Sequence, residues 1–211
     1  MLTELSRSLK SRLSLPLPGP EAQYKMAHPE RRINLSRFKV PENPKRSAVL
    51  ILLYEHQGSL RFPLIVRPVY DGVHSGQVSL PGGSCEVIDK SIEATAIRET
   101  WEETGIEKKH IQIVGPLTEL YIPPSNFLVF PFVGVYKKKP VFNPDTSEVA
   151  RVVEVDIEKI MDEKRIGEKK IKQSSGITLL TPYYNIDGLT VWGATAMILS
   201  EFKSVLFELG I

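Results

Sequence analysis

The chain has 211 residues, 42% of them apolar and 25% charged, with a formal net charge of +2 at neutral pH. That length holds one compact domain with a large core, or a domain with an N-terminal extension, and the near-neutral balance excludes bulk attraction to nucleic acid or to acidic membranes. The single cysteine, Cys85, excludes an intramolecular disulfide and a cysteine-based zinc cluster. No run approaches the roughly 18 apolar residues of a membrane-spanning helix.

Leu2, Leu5, Leu9 and Leu13 recur at helical spacing and predict a helix that stops before Pro16, Pro18 and Pro20. This stretch is basic and serine-rich without a continuous apolar core, so it does not read as a secretory signal. A transit peptide stays open beside the preferred reading, a cytoplasmic protein with a short leading helix. Residues 15–46 read as an irregular, proline-rich strap over the surface, carrying the basic pair Arg31-Arg32. Residues 1–45 are thus set apart from a folded domain over 46–211.

Ala48 to Tyr54 (AVLILLY) predicts a buried strand, His56 to Ser59 a turn, and Leu60 to Val66 the returning strand. Such a hairpin points to an antiparallel or mixed sheet. Residues 68–76 read as a loop and Gln77 to Leu80 as a short strand. Later strands are expected over His110 to Val114, Leu117 to Ile122, Phe127 to Tyr136 and Val149 to Val155. Pro131 argues for an edge position or a bulge in the third of these. A short helix follows over Asp156 to Glu163, and residues 163–175 read as a charged surface excursion. Thr178 to Tyr184 and Leu189 to Val191 form a hairpin, and a final helix runs from about Gly193 to Leu209.

The chemistry concentrates in Ser79 to Ile106, SLPGGSCEVIDKSIEATAIRETWEETGI. A Pro-Gly-Gly turn and an acidic loop precede a helix with Asp89 or Ser91 as N-cap and Gly105 just past its end. Glu99, Glu102 and Glu103 stand at i, i+3 and i+4, so all three should project from one side. Clustered carboxylates repel one another unless a cation sits among them, and oxygen donors with water suit Mg²⁺ or Mn²⁺ beside substrate phosphates. Arg98 can hold a carboxylate bidentately or reach a phosphate. The plain alternative is a solvated acidic face.

These residues resemble the box of the Nudix hydrolase family: G, five residues, E, seven residues, then REUxEExGU, with U aliphatic. Gly83 and Arg98-Glu99-Thr100-Trp101-Glu102-Glu103-Thr104-Gly105-Ile106 carry the match. Asp89 stands at the first Glu, the spacing to Arg98 is one residue longer, and Thr100 replaces an aliphatic. The longer spacing, with Gly82, Gly83, Glu86 and Asp89, looks like the GGxxExxD loop of the coenzyme A pyrophosphatase branch. His74, Gly76 and Gln77 match the segment R-x-H-x-G-Q-V-S-F-P-G-G that precedes the box in that branch. Gly72 replaces its arginine and Leu80 its phenylalanine; Arg67 or Arg61 would supply the charge. Pro124-Ser125-Asn126 and Trp192-Gly193-Ala194-Thr195-Ala196 are similar to later stretches of the same branch.

The resemblance implies an α/β fold, an α/β/α sandwich around a mixed sheet. It implies a metal-dependent pyrophosphohydrolase of a small nucleotide-like molecule such as coenzyme A, acting without nucleic acid or membrane, and leaves a homodimer open. Glu102 and Glu103 would be metal ligands, Glu99 a ligand or base, and the Gly83 carbonyl a further ligand. Arg98 would orient the carboxylates, while His74, Gly76, Gln77 and Arg67 would meet the substrate. Glu148 adds an acid that could reach the metal or act as base, or could simply be an exposed glutamate. The nearest rival is a hydrolase of the same family acting on another nucleoside diphosphate derivative, such as ADP-ribose or a dinucleotide; a ligand-sensing module without turnover and a merely acidic surface helix are the others.

Overall fold

The computed structural model describes residues 1–33, 39–68, 76–172 and 176–211. Helix α1 (Leu2–Leu13) buries Leu2, Leu5, Leu9 and Leu13, the one stripe its spacing provides. The segment expected to be irregular instead holds two short helices, α2 (Gly19–Gln23) and α3 (Pro29–Ile33). Each carries a proline in its first turn, where a missing N–H leaves no bond unmade.

Strand β1 (Lys45–His56) is the spine of the sheet. A two-residue turn with positive φ at Gln57 and Gly58 returns the chain into β2 (Ser59–Val66), the geometry that matches the twist of paired strands. After β3 (Val78–Ser79) and β4 (Gly82–Ser84), helix α4 (Ile92–Thr104) begins at Ser91, whose hydroxyl accepts the Ala94 N–H at 3.2 Å. It ends at Gly105, whose left-handed backbone returns its N–H to the Trp101 carbonyl. Then come β5 (Ile111–Pro116), β6 (Leu120–Ile122), β7 (Phe127–Tyr136) and β8 (Arg151–Asp156). Strands β1 and β7 run parallel while β2 and β4 run antiparallel to β1, so the sheet is mixed.

The spine alternates by the two-residue period of a strand. Ala48, Leu50, Leu52 and Tyr54 face a core with Ala96 of α4, while Ile51 and Leu53 face a larger core. That larger core takes α1 and the last helix, α6 (Gly193–Glu208). Helices on both faces of a mixed sheet make the expected α/β/α arrangement. A strand buried on both sides must read as a continuous apolar run, which is why AVLILLY has no polar alternation.

Two strand expectations change. Strand β7 is interior, paired with β1 on one side and with β5 and β6 on the other. Pro131 is tolerated because it falls at the break between those two partners, where its carbonyl accepts the Leu117 N–H at 2.9 Å. The charged stretch after residue 163 contains β9 (Ile166–Lys172), which pairs with β10 (Thr178–Ile186) and through it with β11 (Leu189–Trp192). Its polar face stays exposed, so composition alone read as surface. Between β8 and β9 lies helix α5 (Glu158–Met161).

The N-terminal segment is tied to α6 from inside. The fully buried Glu201 carboxylate accepts the N–H groups of Gly19 (3.1 Å) and Thr118 (3.2 Å), the Gln23 amide (2.9 Å) and the Thr118 hydroxyl (2.6 Å). Ser200 donates to the Ala22 carbonyl at 2.7 Å. Arg12 pairs with Glu208, joining α1 to the same helix. Among the described residues, no helix is long and apolar enough to cross a membrane. Replacing Glu201 by Ala leaves those donors buried and unpaired, and should cost about 3 kcal/mol of stability in denaturant unfolding.

Candidate functional site

The turn before α4 and the helix itself are joined through Arg98, which is 7% exposed. Its Nε and Nη2 donate to both oxygens of Asp89 at 2.9 Å. Its Nη1 reaches Glu99 at 2.8 Å and Glu102 at 2.7 Å, and Nη2 also donates to the Ser84 carbonyl at 2.9 Å. The Arg98 guanidinium, with the Glu86 N–H and the Thr95 hydroxyl, holds the Asp89 carboxyl well below the usual carboxylate range against the cost of burying it.

Glu103 is 2% exposed and turns inward. It accepts the Gly82 N–H at 2.8 Å and lies 3.4 Å from Arg67. Burial pushes its carboxyl up to about 7, opposed by the Gly82 N–H and Arg67 and reinforced by Glu99 and Glu148. Burial also raises Glu99, with Arg98 opposing and the charges of Glu102 and Glu148 adding. The glycine pair is demanded by close approach. A Cβ on Gly83 would collide with the Glu99 carboxylate, and one on Gly82, at φ 152°, with the Ala48 carbonyl of β1.

Glu99, Glu103 and Glu148 line a cleft of about 400 Å³, with Arg67, Gly82 to Ser84 and Ser147. Glu148 comes from a turn that Asp145 stabilises by accepting the N–H and hydroxyl of Ser147 at 2.9 and 2.6 Å. A larger chamber of about 450 Å³ adjoins it and shares Arg67 and Gly82 to Ser84. Its other walls are mostly apolar, with Val49, Phe127, Trp192 and Met197 among them. Gln77 faces this chamber.

The expected single acidic face is therefore split. Glu99 bends over Gly83 and Glu103 points into the interior, but Glu102 rests on Arg98 with its side chain 38% exposed and does not line the cleft. Among the described residues no ready-made group of three metal-ligating side chains exists. Gly76 is exposed, with its N–H on the Pro68 carbonyl at 3.1 Å. His74, with Gly72, lies outside the described residues. Sequence reasoning missed Asp89 as the main partner of Arg98, and missed the N-terminal residues Met26, Ala27, His28 and Arg31 in the chamber wall. The charge of Asp89 in the box loop could have signalled the first; nothing periodic marks the second.

The family model for the NUDIX domain matches residues 44–174, and the chain belongs to the Nudix family. "Nudix hydrolase 15, mitochondrial" of Arabidopsis thaliana is 37% identical over 180 residues, which are 82% of this chain and 61% of that protein. Human "Mitochondrial coenzyme A diphosphatase NUDT8" is 29% identical over 169 residues, 79% of this chain and 71% of that one. The chain spans 61% and 56% of the lengths of two Arabidopsis relatives. The crystal structure of a Nudix hydrolase from M. Smegmatis, RenU, superimposes with a TM-score of 0.52 at 12% identity, covering 78% of this chain and 87% of that one; it bears on fold alone.

The Asp89–Arg98 pair predicts acid sensitivity with a definite sign. A carboxyl whose folded pKa is depressed stabilises fully above its unfolded pKa, and that stability drains away as pH falls below about 4. Asp89→Asn should lower stability at neutral pH by about 2 kcal/mol and flatten the acid limb of stability against pH, read by urea unfolding from neutral pH downward.

Proposed function

We propose that this chain is a divalent-metal-dependent pyrophosphohydrolase of nucleoside diphosphate derivatives, with coenzyme A or its acyl esters as substrate. The products would be 3',5'-ADP and 4'-phosphopantetheine or its acyl form. The observation that carries the reading is the convergence of Glu99, Glu103 and Glu148 on one cleft floored by Gly82 and Gly83. The donor set fits Mg²⁺ or Mn²⁺: hard carboxylate oxygens that repel one another across a cleft, which no thiolate or imidazole lines among the described residues. Glu99, Glu103 and the Gly83 carbonyl would hold the ion, and Glu102, which rests on Arg98 outside the cleft, would join them only by turning inward. When bound, it supplies charge neutralisation on the diphosphate oxygens.

The chain's own groups account for the rest. Arg98 holds Glu99 against Asp89 and Ser84, so the carboxylate stays over Gly83 without ordering cost at the moment of reaction. Glu148 stands outside the helix on the same cleft and takes the proton of the attacking water. Water oxygen bonds to one phosphorus as the bridging P–O bond breaks, and the other phosphate departs with the bridging oxygen. Arg67, on both cavities, meets the phosphate oxygens, with Gln77 beside it in the chamber and Gly76 and His74 next in the chain.

Support for coenzyme A comes from the motif resemblance at Gly76-Gln77 and Trp192 to Ala196, from the human relative's activity by name, and from a chamber large enough for a group beyond the diphosphate. A cytoplasmic location belongs to this reading on the sequence argument, and cell fractionation checks it.

Purified protein should release 3',5'-ADP from coenzyme A with Mg²⁺ or Mn²⁺, and EDTA should stop it. Brisk cleavage of ADP-ribose or a dinucleotide with coenzyme A left intact would reassign the substrate. Glu99→Gln or Glu103→Gln should cut kcat/KM about a thousandfold, some 4 kcal/mol of transition-state stabilisation. A sensor without turnover would keep its ligand response in both variants.

A further inference from the structure

The chamber beside the acidic cleft has a wall that lies outside the matched family domain. Met26, Ala27, His28 and Arg31 line it from the N-terminal segment, together with Thr181 and Trp192. This wall is built rather than draped. Arg31 donates to the Tyr121 carbonyl at 2.6 Å, and its N–H reaches His28 Nδ1 at 3.3 Å. Arg32 donates to the carbonyls of Ala27 and Lys25 at 2.9 and 2.6 Å. Met26 and Ala27 are each 2% exposed and belong to the larger core. Behind them, Glu201 and Ser200 grip residues Gly19, Ala22 and Gln23. A preformed wall imposes shape on a ligand without ordering cost on binding.

The chamber's chemistry narrows what it takes. Met26, Val49, Phe127 and Met197 give an apolar interior, and unbranched methionines adapt to a flexible chain. Ser79, Ser125 and Gln77 place a few polar groups among these walls. Arg31 and Arg67 add positive charge at separate places on the lining. A ribose covered with hydroxyls would leave most of this surface unmatched; an elongated, mainly apolar arm fits it.

We propose that residues 26–31 form a specificity-determining wall that reads the elongated apolar arm of a diphosphate substrate, beyond the bond that is cut. The proposal rests on the hydrolase reading for its substrate, but its test does not depend on turnover. Coenzyme A is titrated calorimetrically into the full chain in EDTA, for wild type, Met26→Ala and His28→Trp, with His28→Ala as a milder truncation should the tryptophan unfold the protein. Thermal melts confirm that each variant is folded. Met26→Ala removes contacts and His28→Trp fills space, so each should weaken coenzyme A binding about tenfold. With Mg²⁺, the ratio of kcat/KM for coenzyme A over ADP-ribose should fall by a similar factor, through KM more than kcat. Affinity within about twofold of wild type in the folded variants would overturn the wall, as would absence of coenzyme A binding to wild type. If wild type binds coenzyme A and the variants do not, yet no diphosphate is cleaved with either metal, the hydrolase reading fails while the wall stands. Cleavage with unaltered selectivity in the variants has the opposite meaning.

Discussion

One guanidinium settles how so much negative charge can share a single helical turn and its approach loop. Arg98 is buried, and its donors go to Asp89, Glu99, Glu102 and the Ser84 carbonyl. Lysine could not do this, since a point charge lacks the planar fork that takes Asp89 by both oxygens. The arrangement keeps the loop after Gly83 pressed to the helix and leaves Glu99 aimed at the glycine turn. Without it, burial and mutual repulsion would drive the acids apart or protonate them. A side chain at position 83 would have to push this carboxylate off the glycine turn.

The sheet carries that turn to its place. Strand β4, with Gly82 and Gly83, pairs with Ser47 to Val49 of β1, and the far face of β1 supports the core shared by α1 and α6. The acidic cleft and the apolar chamber therefore meet at one glycine turn, with Arg67 common to both. A polar reaction zone next to an apolar recess is what a substrate with a charged bridge and a long side arm requires. Glu201 links this arrangement to the N-terminal segment through bonds wholly inside the protein.

Much of this was legible in the residues. The apolar run of β1, the Gln57-Gly58 turn, Ser91 and Gly105 at the ends of α4, and the span of α6 all follow from local chemistry that tertiary contacts do not oppose. Pro131 misled because a proline is compatible with an interior strand when its neighbour changes partner at that residue. Strand β9 escaped notice because an edge strand with charged outward side chains has the composition of a loop. The i, i+3, i+4 spacing placed Glu99, Glu102 and Glu103 on one side of the helix, but it could not tell which way each side chain turns. That depended on Arg98 for Glu102 and on the Gly82 N–H for Glu103. The chamber wall was invisible for a different reason: residues 26–31 meet it only through long-range packing.

The parallel ladder between β1 and β7 also dictates an order of events during synthesis. Ala48 to Tyr54 is a continuous apolar run, and although β2 and β4 pair with parts of β1, the edge of Lys45 to Leu53 that takes β7 stays open until Phe127 to Val135 has been made. Contacts that distant in the chain close slowly, so a nascent molecule holds an exposed sticky strand through much of its growth. A chaperone that shields that strand should matter more to the yield of this protein than to its final stability.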